Sequence, residues 1–502
     1  MAASVSRLRN ACVHTNQEQP AQPAAIPLTA ALPTPTSCIA RLSARLTALD
    51  ESCAVHQQRI ADARATAERF SDDSADRAAL AVLDERAAWF GDLESFVDDL
   101  ALFLDAKMPQ LEALEVGTVK LLSNRAASRQ HNRAIVLEDA LALVHGVSRA
   151  SLWLEPREGG ERRPSNADGG WQAPARRARM SVFSGAPDTS MQWLTPPEVA
   201  QFEEHAAELQ GRSERLFADT KLPEFRDPAA VDEDGAPLRQ SLVSRFSEWR
   251  ARFTEDYNRA WGGLALASAW EFWARAEQAL WDPFWPGGAV ALQSPPDGMD
   301  AFAWLTHVME FVDAGGHPSH GGDDEVVATL VSNVVVSRLI TLAESRAYDP
   351  WSCAETAAAV SLADHAAQVI EGDRLKTLAR AFLGAFREHV DVLKEFFSAQ
   401  VTQAPPPIHP DTPRAIMYVA EQLAALASNL FAWRTLWSVS YASWSDAERS
   451  EYATVANELL TLVCDVLERA QEFGSNAAKH ELAASVPTLV SAELKARLGR
   501  LY

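Results

Sequence analysis

From Ile39 the apolar positions of this chain step by three and four: Ile39, Leu42, Leu46, Leu49, Cys53, His56, Ile60, Ala63, Ala67 and Phe70. That spacing is a heptad seam, the pattern of a helix that pairs with another helix. His56 has no second metal ligand one turn away, so it reads as a polar residue of the seam and not as a ligand. The seam breaks between residues 71 and 74, and a second periodic run follows through Leu80, Leu83, Trp89, Leu93, Phe96, Leu100, Phe103 and Leu104. Pro109 costs only one turn or a kink, because Leu111 and Leu114 resume the face. Residues 38–147 are therefore expected to form two or three long helices in a hairpin or coiled coil.

Ahead of the seam, Pro20, Pro23, Pro27, Pro33 and Pro35 cannot sit in a packed helix, so residues 1–37 read as a disordered leader. Residues 148–190 carry Gly, Pro and Ser with Arg162, Arg163, Arg176, Arg177 and Arg179, and read as a flexible linker whose arginines are solvated. Helical signals then run to the end, over 191–502. Thr195-Pro196-Pro197-Glu198 offers a cap, prolines in the first turn and a capping-box Glu. Leu375, Leu378, Phe382, Phe386, His389, Leu393 and Phe396 form one amphipathic face, and Tyr452, Val455, Leu459, Val463, Val466 and Leu467 another. The Val-rich run from Val326 to Leu342 is too long for an ordinary strand and repeats at three and four, which predicts a buried helix. Pro405, Pro406, Pro407, Pro410 and Pro413 mark a second linker. The expected fold class is all-α: an N-terminal coiled coil or hairpin, then a helical-repeat-like domain of stacked helices.

Composition narrows the function. The 68 acidic against 46 basic residues leave a net charge of −22, which repels phosphate backbones and anionic membranes, so nucleic-acid binding is doubtful and no membrane partner is expected. Cys12, Cys38, Cys53, Cys353 and Cys464 are widely spaced and odd in number, which fits a reducing compartment. No uninterrupted apolar run reaches the ~18 residues that span a bilayer.

The chemistry of an enzyme is missing from the sequence. It has no G-x-x-x-x-G-K-[ST], no G-x-S-x-G and no H-E-x-x-H, and the β-α alternation that would carry such sites is not expected either. Asp232-Glu233-Asp234-Gly235 fails as a calcium loop, because its first and twelfth positions would be Ala230 and Ser241. His317 and His320 beside Asp323 and Asp324 read as a polar loop rather than a metal site. No catalytic residue, metal or cofactor is expected.

What stands out is an internal echo: Trp281-Asp282-Pro283-Phe284 and Tyr348-Asp349-Pro350-Trp351 are both aromatic-Asp-Pro-aromatic. An aromatic can anchor the end of one helix while Asp caps the next and Pro fits its first turn. In the second copy, Ser352-Cys353-Ala354-Glu355 offers an alternative cap. Two such corners suggest stacked helical hairpins.

At these residues the sequence resembles the GC-rich-sequence-factor C-terminal-domain family, the group of the PAX-binding proteins and, more distantly, the tuftelin-interacting G-patch splicing proteins. Phe246-Ser247-Glu248-Trp249-Arg250, then Tyr257, then the Trp281 corner match the family's F-x-x-W-R, Tyr, W-[DN]-P-[LF] block. Val336-Ser337-Arg338-Leu339, the Tyr348 corner with Ser352, and Thr356 match a second block, and Lys107-Met108-Pro109 with Asn124-Arg125-Ala126 a third. Ser337 replaces a family proline, and Gly262-Gly263 stands where relatives have other residues; each change is expected to cost only ~1 kcal/mol. Relatives carry a long charged N-terminal half that this sequence shows only as a short leader, which puts the DNA-binding role in doubt. The resemblance implies a nuclear scaffold of pre-mRNA splicing, acting in the late spliceosome or in disassembly of the intron-lariat particle. Its implied partners are splicing proteins, the G-patch protein and the helicase of the disassembly complex. The alternative is a transcription-linked adaptor joining a DNA-binding factor to chromatin enzymes. Phe246, Trp249, Tyr257, Trp281, Asp282, Pro283, Phe284, Tyr348, Asp349, Pro350 and Trp351 are then the family-motif residues, structural or partner-binding.

Overall fold

The computed structural model describes residues 35–69, 74–145, 193–230, 238, 241–284, 299–315, 322–370, 372–400, 412–437, 444–472 and 490–500. Residues 1–34 of the leader, the whole of the linker over 148–190, the Asp232 loop, the His317–His320 loop and the run Pro405–Pro410 lie outside the described residues. The fold is all-α, as the periodicity predicts.

The chain divides into two units, one ending at Leu102 and the other beginning at Phe103. In the first, the seam forms helix α1 (Pro35–Arg69), which corrects the expected leader boundary, since residues 35–37 are helical and Pro35 fits the first turn. The second run enters helix α2 (Ser74–His145), which continues unbroken through Pro109. Within the first unit, Trp89, Leu93, Phe96, Val97 and Leu100 of α2 are buried. On α1, by contrast, every residue from Leu42 to Arg64 is exposed. The seam is helical as expected, and among the described residues its side chains from Leu42 to Ala63 are exposed.

The second unit begins with the rest of α2 and adds α3 (Pro196–Leu216), α4 (Leu242–Arg252), α5 (Gly262–Gln278), α6 (Ala303–Asp313), α7 (Val326–Leu330), α8 (Ser337–Glu344), α9 (Cys353–Val369), α10 (Asp373–Gln400), α11 (Thr412–Ala432), α12 (Asp446–Glu472) and α13 (Ala492–Arg500). Helix α3 starts where Thr195 predicts, with the Thr195 N–H donating to the Glu198 carboxylate at 2.8 Å. Helix α12 begins with a reciprocal capping box, Ser445 N–H to Glu448 at 2.7 Å and Glu448 N–H to the Ser445 hydroxyl at 3.3 Å. The helices stack in sequence: α7 on α5, α8 on α10, α9 on α11, α11 on α12, and α12 on α10 and α13.

The Val-rich run is the expected buried helix, with Val326, Leu330, Val331, Val335, Val336 and Leu339 at most 1% exposed. It carries one irregularity, a turn of π-helix over Val331–Val336 between α7 and α8. The family proline position, Ser337, follows this turn directly. Two stretches, Asp323–Glu344 and Ala415–Thr435, are long and apolar enough to cross a membrane, contrary to the reading that no such run exists, because isolated polar residues do not lower a window average much. Both are mostly buried inside the fold, 61% and 67%, so their apolar surface is spent on the protein core.

Gly262 and Gly263 follow Trp261, whose φ of 54° is left-handed, and open α5 against close neighbours. A Cβ on Gly262 would lie 2.2 Å from the Tyr257 ring, and one on Gly263 would lie 2.8 Å from the backbone of Gly322 and Asp323. The two glycines are therefore packing requirements, which corrects the expectation of a small propensity cost. Gly263→Ala is expected to lower stability by about 1–3 kcal/mol through overpacking. Gly384→Ala on α10, where nothing stands within 4 Å of a new Cβ, is expected to raise it by about 0.5–1 kcal/mol. Thermal unfolding of the two variants checks the contrast.

Candidate functional site

Three arginines stand four residues apart on α2: Arg125, Arg129 and Arg133. That spacing places them on one helix face, among the buried Leu121, Leu122, Ala126, Val136 and Leu137. A cation on an apolar face needs a counter-charge, since burying it alone costs far more than any packing returns. The two aromatic-Asp-Pro corners supply it. Arg125 Nη1 donates to Asp282 Oδ2 at 2.5 Å. Arg133 Nη1 donates to Asp349 Oδ2 at 2.6 Å, and Arg129 Nη2 lies 3.4 Å from the same oxygen. Arg129 Nη1 also donates to Glu355 of α9. All six side chains are at most 4% exposed. Three cations meet three anions in a dry ladder that fastens both corners to the long helix.

The second corner is built around Asp349. Its backbone N–H donates to Glu355 Oε2 at 3.0 Å, and its Oδ1 accepts from the Trp351 N–H at 3.2 Å. Helix α9 is capped by Ser352, whose hydroxyl accepts from the Glu355 N–H at 3.3 Å. The alternative cap is thus the one used, and the expectation that Asp349 caps the helix is corrected: its Oδ2 is committed to the arginines and its Oδ1 to the Trp351 N–H ahead of the helix. Burial alone would raise the Asp349 pKa, but the charges of Arg133 and Arg129 outweigh it and hold the carboxyl below its ordinary value. Glu355 is pushed up by burial, and by the neighbouring Asp349 charge, against the pull of Arg129.

The aromatic members knit the two corners together. Trp281 packs edge-on to Phe302 at 5.1 Å, and Phe284 meets Tyr348 at 5.4 Å and Phe382 at 5.9 Å. The Tyr348 hydroxyl pairs with Thr356 at 2.6 Å, which explains why a Tyr and a Thr eight residues apart belong to one motif. The Pro350 carbonyl accepts from Asn429 at 2.9 Å, while Pro283 turns the chain after Asp282. Trp351 donates to His389 Nδ1 at 3.4 Å. It also stands at the wall of a cleft of about 1160 Å³, with Gln130, Ala134, Arg380, Gly384 and Glu388 around it.

The Phe246 block forms a separate cluster. Phe246, Trp249 and Tyr257 stack edge-to-face at 5.7 and 5.4 Å, and all three are at most 1% exposed. Tyr257 donates its hydroxyl to Asp323, whose other oxygen accepts from Arg250 at 3.0 Å. Burial, followed by this bond to Asp323, pushes the Tyr257 pKa up. Asp323, considered in the sequence as part of a polar loop beside His317 and His320, is therefore engaged with Tyr257 and Arg250. Among the described residues no cluster of His, Cys, Asp and Glu is arranged to hold a metal. Sequence reading located the corners but missed Arg129 and Arg133. The available signal was their spacing from Arg125 along an apolar face.

These features define a class: an all-α fold of stacked helices in which a long helix is locked to two aromatic corners by buried charge. No family model matches the chain. A mouse protein, intron large complex component GCFC2, is 22% identical over 333 residues, which is 63% of this chain and 40% of the relative. The chain is similar to this relative over that stretch, and the match spans less than half of the relative's length.

Proposed function

We propose that this protein is a nuclear helical scaffold of pre-mRNA splicing, acting in the late spliceosome and in disassembly of the intron-lariat particle. It works through surfaces that hold protein partners and carries no catalytic centre. The single observation that supports this reading is the similarity to an intron large complex component along 63% of the chain. The fold is consistent with it: the polar groups of the corners are consumed in holding helices together, which leaves the cleft beside Trp351 for partners. The partners proposed are the G-patch protein and the helicase of the disassembly complex.

Affinity purification of the tagged chain from nuclear extract tests the assignment. Small nuclear RNAs and splicing proteins, including a G-patch protein and a helicase, are expected to co-purify. Chromatin enzymes and DNA-binding factors without those RNAs would refute the splicing assignment and support the transcriptional adaptor instead.

A further inference from the structure

We infer that two copies of this chain associate through α1, antiparallel, with the seam of one copy closed by the seam of the other. The seam holds a strict three-four alternation over ten positions from Ile39 to Phe70, longer than the three to four heptads that mark a coiled coil. Its large residues are uncovered: Leu42 and Leu46 are 60% exposed, Leu49 50% and Ile60 52%. Helix α1 has 35 residues, a rod of about 52 Å, with no described residue between Leu42 and Arg64 buried. A stripe of that length in water is an association surface.

The sequence of the seam selects its own partner. Large side chains crowd its first half (Ile39, Leu42, Leu46, Leu49), and Ala63 and Ala67 lie in its second. In an antiparallel pair centred between Cys53 and His56, Leu46 faces Ala63 of the other copy at each end, and Leu49 faces Ile60. Large meets small in two of these layers, which fills the space between helices evenly. A parallel pair would stack Ala63 on Ala63 and leave that layer thin.

The flanking positions agree. In the antiparallel pair Asp50 meets Gln57, Arg59 meets Ser52 and Arg64 meets Ser43, with no like charges in contact. The parallel pair gains Arg45 with Asp50 but sets Arg59 against Arg64, and like charges at these positions oppose pairing. This inference concerns self-association and stands independently of the splicing assignment.

Analytical ultracentrifugation of the full chain tests it, with a dimer expected at micromolar concentration. Leu46→Arg with Leu49→Arg is expected to weaken association about a hundredfold or more, with the melt of the helical body unchanged because both side chains are exposed in the single chain. Orientation is read by cross-linking in a background where Cys12, Cys38, Cys53 and Cys353 are Ser. Leu49→Cys mixed with Ile60→Cys is expected to give a disulfide-linked pair under mild oxidation, whereas neither variant alone should. A monomer at these concentrations, a dimer indifferent to the two arginines, or efficient cross-linking of Leu49→Cys to itself would each overturn the inference.

Discussion

Asp349→Ala is expected to lower the stability of the helical body by about 3–5 kcal/mol, because it strands Arg133 and part of the Arg129 charge in a dry interior. A capping role would predict only about 0.5–2 kcal/mol, so the magnitude itself separates the two readings. The Asp349 side chain is fully covered, and its Oδ2 accepts from Arg133 at 2.6 Å. Its pKa is depressed in the fold, so its contribution is present above the ordinary carboxylate value of 3.8 and is lost as pH falls through the lower folded value. The penalty of the substitution should therefore be full at neutral pH and shrink only in strong acid. Urea unfolding across pH measures both features.

Trp281→Ala is expected to cost about 3–5 kcal/mol, the usual loss for deleting a buried indole and leaving a cavity. Trp281 is 2% exposed and packs on Phe302. Met309→Ala on α6 serves as the comparison, since Met309 is 50% exposed and its loss should stay within about 0.5 kcal/mol. Partner capture by the Trp281 variant should fail only where the domain itself has unfolded, because the ring is inside the fold. A variant with an unchanged melt and lost capture would mean that Trp281 reaches a partner directly.

Much of this architecture was legible in the chain. The helices followed from period and caps: the Ile39 seam, the continuation through Pro109, the start at Thr195 and the buried Val-rich run are all where their residues predict. The π-turn at Val331–Val336 was not legible, because it keeps the same apolar spacing as the α-helix around it and differs only in one hydrogen-bond register. The corners were found as motifs, yet the role of Asp282 and Asp349 was misread. Local reasoning sees a carboxylate before a proline and assigns a cap. The arginines that claim these carboxylates lie more than 150 residues earlier, and nothing local announces the contact. Gly262 and Gly263 were underrated for the same reason, since the Asp323 backbone that crowds Gly263 comes from another part of the chain.

Charge pairing between α2 and the corners holds the helical body together, and a thermodynamic cycle on Arg125 and Asp282 measures it most directly. The pair is 2.5 Å apart and almost wholly buried. Arg125→Met and Asp282→Leu are each expected to destabilise by about 3–5 kcal/mol, because each leaves one buried charge alone. The double variant removes both charges and should recover more than half of the summed loss, giving a large favourable coupling in urea unfolding. Costs that simply add, with no recovery in the double variant, would contradict the pairing and return the corners to the status of isolated turns.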